Sequence, residues 1–191
     1  MSRESVLRYM GAREPSAELL KLLEETVDEA AELCLGRVAY LELPLSLCGE
    51  VAELPLLSLV SGDLAKRLKN AHRVLLFAAT VGVGIDRLIA RYTRLSPAKA
   101  LCLQALGTER VEALCDTFCE EVERALPAGA RLTPRFSPGY GDLPLSAQTE
   151  LFRVLNCPAT LGLTLNLSLL MTPTKSVTAI VGIEEPKNEA E

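Results

Sequence analysis

The sequence predicts an α+β fold in a single domain, and three observations lead there. Helix-period segments occupy residues 16–35 and 85–126. Strand-like segments occupy residues 37–45, 73–80, 163–170 and 176–182. The last two of these are joined by a short turn, which makes them antiparallel, whereas a doubly wound parallel sheet would alternate strands with crossover helices throughout.

Residues 16–35 place Leu19, Leu20, Leu22, Leu23, Val27, Ala30, Ala31 and Leu33 at helical spacing with Glu and Asp on the other side, an amphipathic helix suited to packing on a sheet. Residues 37–45 alternate Val38, Tyr40 and Glu42 against Ala39, Leu41 and Leu43, and Pro44 closes this strand or confines it to an edge. Residues 46–60 read as short strand or loop. Ser61 caps a helix expected to reach Asn70, and the unbroken apolar run after Arg73 reads as a buried central strand ending at Thr80. Val81-Gly82-Val83-Gly84 superficially resembles the glycine-rich turn of dinucleotide-binding folds. The third glycine and the second strand ending in an acidic residue about 20 positions on are missing, so the glycines serve a tight strand-to-helix passage.

Ser96-Pro97 is an N-cap followed by proline at the first helical position, and it starts a long helix reaching about Leu126, with Gly107 as a point where it can bend. Residues 127–130 stop it. Residues 131–136 read as a strand entering a Ser-Pro-Gly-Tyr loop, and residues 147–155 as a short helix. Residues 163–170 alternate strictly and are expected to pair with residues 176–182 through a hairpin-like turn at 171–175, in which Lys175 reads as a solvated turn residue. The domain is expected to span residues 1–183, with residues 184–191 a disordered charged tail.

A net charge of −5 with no Lys/Arg block argues against an electrostatic grip on nucleic acid or anionic lipid, which leaves proteins and small molecules as partners. Charges at Arg3, Glu4, Arg8, Arg13, Glu14 and Glu18 interrupt any secretory signal core, and the apolar runs at 74–85 and 159–171 are too short or too broken to span a bilayer, so a cytoplasmic location without membrane contact is expected. The six cysteines form no C-x-x-C pair and read as reduced core thiols. Cys115 and Cys119 share a helix face, but with His72 the only histidine no third and fourth metal ligand can be named, and His72 has no nucleophile beside it. No metal site and no catalytic residue is assigned.

The segment Arg135-Phe136-Ser137-Pro138-Gly139-Tyr140 is the candidate ligand loop. Arginine offers a planar donor fork suited to a carboxylate, Pro-Gly turns the backbone, glycine lets main-chain amides approach a ligand, and Tyr140 adds a stacking face and a hydroxyl. The same residues also suit a plain turn anchored by a buried tyrosine, and on composition both readings stand.

Taken together, R-F-S-P-G-Y-G-D-L-P at 135–144, L-G-L-T-L-N-L-S at 161–168 and M-T-P-T-K-S-V-T-A-I-V-G-I at 171–183 resemble the activation domain of cobalamin-dependent methionine synthase. Looser similarity extends upstream through V-L-R-Y-M-G at 6–11, A-A-T-V-G at 78–82 and T-E-R-V-E-A-L-C-D at 108–116. The resemblance implies a C-shaped α+β domain with a twisted antiparallel sheet and flanking helices that binds S-adenosylmethionine. In the family that domain is the last of four modules, and here it is expected to stand alone. Its implied task is repair: cobalamin carried by a partner methionine synthase subunit oxidises to inert cob(II)alamin, and a flavodoxin-like electron donor together with S-adenosylmethionine restores it. By the same resemblance Arg135 pairs with the methionyl carboxylate, Ser137 holds the ligand through its backbone, Gly139 and Tyr140 lie near the adenosyl group, and Glu112 is a helix carboxylate near the ligand. The family's last strand carries a ligand-contacting tyrosine where this chain has Ala179-Ile180-Val181, and its N-terminal site aspartate has no counterpart. Alternative readings are an accessory module for another corrinoid methyltransferase, and an interaction protein with a decayed site.

Overall fold

A computed structural model describes residues 2–186. Its helices are α1 (Arg3–Tyr9), α2 (Ala17–Ala30), α3 (Gly62–Arg67), α4 (Gly84–Leu95), α5 (Pro97–Ala125), α6 (Ala147–Val154) and α7 (Cys157–Leu161). Its strands are β1 (Arg37–Pro44), β2 (Ser46–Cys48), β3 (Val51–Leu54), β4 (Leu57–Val60), β5 (Arg73–Thr80), β6 (Arg131–Leu132), β7 (Thr164–Leu165), β8 (Met171–Thr172) and β9 (Ser176–Glu184). The main sheet has the order β1-β5-β9-β6, antiparallel at every pairing, and the chain is a single α+β domain.

β5 takes the centre because seven of its eight residues are buried, and a strand that apolar has to be covered on both faces. Leu75, Phe77 and Ala79 meet Leu114, Cys115, Phe118 and Val122 of α5. Val74, Leu76 and Ala78 turn the other way, into a cluster with Leu59 of β4, Leu151 and Phe152 of α6, and Leu163. A third cluster around Ile85, Leu103 and Leu106 joins α1, α2 and α4 to the far side of α5. The longest helix is therefore buried from two directions. β1 lies at the sheet edge, as Pro44 requires, and its exposed Tyr40 packs on Phe118 with ring centroids 5.3 Å apart.

Several expectations need correction. Residues 46–60, open between short strand and loop, take the strand alternative as an antiparallel meander, β2-β3-β4, whose inward Ala52, Leu54, Leu57 and Leu59 cover the sheet. The Ser61 cap exists, accepting from the Leu64 amide at 2.9 Å, but α3 ends at Arg67, short of Asn70. It ends there as Leu68 and Ala71 turn in against Gly182, where an added Cβ would stand 2.8 and 2.9 Å from their side chains. Residues 131–136 form regular ladder pairs with β9 only at Arg131, Leu132 and Phe136: Thr133 N donates to Gly182 O at 2.9 Å, but the Thr133 hydroxyl, rather than its carbonyl, takes the Gly182 N–H at 2.8 Å, and Pro134 has no amide to donate.

The expected C-terminal hairpin is wrong. β9 pairs with β5 and β6, its Ala179, Val181 and Ile183 buried beneath α5 and its Ile180 in the cluster on the other face, and it makes no ladder with residues 163–170. The turn lies earlier, between β7 and β8. The Asn166 side-chain oxygen accepts from the amides of Ser168 at 2.9 Å and Leu170 at 3.0 Å, and Leu169 adopts φ 61°, so the alternating stretch folds back within itself.

α5 runs continuously through Gly107. A Cβ there would sit 2.8 Å from Lys175 Cγ and 2.9 Å from Ile85 Cγ2, so the glycine is a packing seat. Lys175 is not solvated: it is half-buried, its stem crosses Gly107 and its Nζ reaches the Thr108 hydroxyl at 3.1 Å. Burial pulls its pKa below the usual lysine value. At the C-terminus β9 includes Glu184, which pairs with Arg131 at 2.6 Å, and Glu185 pairs with Arg73 at 2.8 Å. Residues 187–191, the rest of the expected tail, lie outside the described residues. All six cysteines are free thiols, and among the described residues no helix is long and apolar enough to cross a membrane.

Candidate functional site

Glu112 and Asp116 stand four residues apart on α5 and so project from one face of the helix. Arg135 arrives opposite them as the chain leaves β6. Its Nη2 donates to Glu112 Oε2 at 2.9 Å and to Asp116 Oδ1 at 2.8 Å. Both bonds use one nitrogen, Nη2, which belongs to both donor edges of the guanidinium, and the Cys115 thiol lies close to the same side chain. The three side chains are 25 %, 38 % and 63 % exposed for Arg135, Glu112 and Asp116, which places the cluster at a mouth rather than in the core. Beneath it burial pushes the Cys115 thiol up to about 12, and burial likewise raises Cys119, so both are neutral packing groups at physiological pH.

The loop after Arg135 is held from two sides. Tyr140 N donates to Ser137 O at 3.1 Å and Gly139 N to Leu143 O at 2.9 Å, with Gly139 at φ 90°, a conformation that favours glycine. Asp142 then plugs the N-terminus of α3. Its carboxylate accepts from the Ser61 hydroxyl, from Gly62 N at 2.8 Å and from Asp63 N at 3.2 Å. The Ser61 hydroxyl first, then the Asp63 and Gly62 amides, hold its pKa below the usual carboxylate value. Gly141 beside this plug adopts φ 52°, a conformation that favours glycine. Tyr140 is left 67 % exposed at the rim, so a turn anchored by a buried tyrosine does not describe it.

Between these groups opens a cavity of about 400 Å3. Arg135, Glu112, Ser137, Pro138 and Tyr140 form one wall, and Gln148, Met171, Ser176, Val177 and Thr178 complete it. Gln148 is buried and ties three elements together: its amide donates to Leu169 O at 2.7 Å, and its oxygen accepts from the Thr178 hydroxyl at 3.4 Å. Ser176 Oγ donates to Pro173 O at 2.8 Å and lies 2.9 Å from Thr80 Oγ1. The cavity has a guanidinium, the Glu112 carboxylate, an aromatic face and a polar floor, which together suit a zwitterion with a flat appendage.

The structure brings Arg135, Glu112, Ser137 and Tyr140 to one cavity, while Gly139 acts in the turn behind it and lines nothing. Sequence reasoning missed Asp116, although its spacing from Glu112 was a usable signal. It also missed Asp142, Gln148, Ser176 and Thr178, which are brought in by long-range contacts with no local pattern. Ala179, Ile180 and Val181 are buried in β9 and contribute no side chain to the cavity.

No protein-family model matches the chain, and no curated protein matches it in sequence. Among solved structures it is similar to the crystal structure of the MetH reactivation domain bound to AdoHcy, with a TM-score of 0.71 and 16 % identity over 100 % of this chain and 78 % of that one. Likeness at that identity speaks for architecture, and the chain has the fold of the MetH reactivation domain.

Proposed function

We propose that this chain binds S-adenosylmethionine in the Arg135 cleft and supports reductive remethylation of cob(II)alamin held by a partner methionine synthase, with a flavodoxin-like donor supplying the electron. The observation that carries this reading is the meeting of Arg135, Glu112, Ser137 and Tyr140 at one cavity, on the fold of a domain solved with AdoHcy. Nη2 of Arg135 already serves Glu112 and Asp116 and belongs to both donor edges of the guanidinium, so the methionyl carboxylate is received on the Nη1 hydrogens as a single-nitrogen, charge-assisted contact. Glu112 and Asp116 supply negative potential for the ammonium and sulfonium, and the exposed Tyr140 ring offers a face to the adenine. S-adenosylmethionine supplies the methyl group, and the protein's task is to orient it towards the partner's cobalt.

One observation favours a second reading, a protein-interaction module. Arg135 is already bonded to two carboxylates, and the strand segment 179–181 offers the cavity nothing. Titration calorimetry separates the two. S-adenosylmethionine is expected to bind saturably, and Arg135→Ala is expected to weaken it by about 2 to 4 kcal/mol. No heat from folded wild-type protein at millimolar ligand leaves the interaction module.

A further inference from the structure

A second cavity, of about 440 Å3, opens on another face of α5, between that helix, α2 and the chain leading into β1. Its walls include Val27, Ala30, Val81, Leu106 and Leu114, and its volume falls in the range of about 300 to 1,000 Å3 typical of small-molecule sites. Cys34 also lines it. Burial pushes that thiol up, so it is uncharged at neutral pH and adds to the apolar lining.

The cavity has a single charged lining residue, Arg110, which is 30 % exposed and so stands at the mouth. Its Nε donates to Glu109 Oε2 at 2.9 Å. Glu109 is itself only 4 % exposed, and its other oxygen accepts from the Ser2 amide at 2.7 Å. One edge of the guanidinium is thus fixed, while neither Nη has a hydrogen-bond partner among the described residues. A cation oriented in this way over an apolar chamber matches a molecule with a planar anion at one end and hydrocarbon at the other.

We propose that this cavity binds a medium-chain monocarboxylate, the carboxylate on the free Nη groups of Arg110 and the chain against Val27, Leu106 and Leu114, independently of the Arg135 cleft. The test is calorimetry with decanoate, using decan-1-ol as the uncharged control. Wild-type protein is expected to bind decanoate saturably and decan-1-ol at least about tenfold more weakly, since the charge-assisted pair is missing. Ala113→Phe, which puts a ring into the cavity, is expected to abolish binding with an unchanged circular dichroism spectrum. Arg110→Gln keeps a donor for Glu109, removes the charge, and is expected to bind decanoate at least about tenfold more weakly. Saturating S-adenosylmethionine is expected to leave decanoate affinity unchanged. The proposal is overturned by absent saturable binding, by equal affinity for acid and alcohol, or by full affinity in Ala113→Phe. Displacement of decanoate by S-adenosylmethionine overturns it as well. Should Arg110→Gln fail to fold, the comparison of acid with alcohol on the wild type still decides the role of charge.

Discussion

The two clefts flanking α5 use the same ingredients, an arginine and carboxylates, with different results. Residues 106, 110, 113 and 117 form one stripe along the helix and line the apolar cleft. Residues 109, 112 and 116 form a neighbouring stripe one residue out of phase, about 100° around the axis, from which Glu112 and Asp116 reach the polar cleft. In the apolar cleft Arg110 is held by its sequence neighbour, and much of the wall is the hydrophobic core itself. In the polar cleft Arg135 is held across elements, and the mouth is built of half-exposed groups that the core does not need. The difference is in what each wall does for the fold: truncating the apolar wall should destabilise the protein, and truncating the polar mouth should leave its stability nearly unchanged.

The largest effect should come from Leu106→Ala. Leu106 is 2 % exposed in the cluster joining α4 and α5, so denaturant unfolding should show a loss of about 2 to 5 kcal/mol. A loss under about 1 kcal/mol would mean that this wall is a surface feature, and the contrast between the clefts would fail. Gln148→Ala should come next. It leaves Leu169 O and the Thr178 hydroxyl without their amide partner at the floor of the polar cleft, at about 1 to 3 kcal/mol. That cost would sharpen the comparison by showing that the polar cleft has a structural floor beneath an expendable mouth.

The smallest effect concerns Asp142 and acid. Its folded pKa lies below the unfolded value of about 3.9, so its contribution is present above that pH and is lost as pH falls through the folded pKa. Because the group is exposed, the change should be small. Asp142→Asn should flatten the slope of stability against pH in that acid window, and an unchanged slope would show that the plug on α3 is not an electrostatic anchor.

How much was legible follows from how local each signal was. The Ser96-Pro97 start of α5, the apolar run of β5 and the edge position that Pro44 gives β1 depend on neighbours in sequence, and each appears where its residues predict. That Arg135, Ser137 and Tyr140 would face one cavity was legible because they lie within six residues of one another. The partner of β9 was not. Period-two alternation at 163–170 says that a strand is possible and says nothing about which strand lies beside it, and the Asn166 side chain turned the segment before it could extend. Gln148 and Thr178 lie 30 positions apart and meet only after the sheet is assembled, so no window along the chain contains both.

Lys175 lying in the Gly107 seat has a mechanical consequence. A stem seated against the backbone of the longest helix, with its tip bonded one residue further on, opposes rotation and sliding of α5 at that point. The hollows on its flanks are thus braced against each other through one lysine stem, so filling one should disturb its neighbour little.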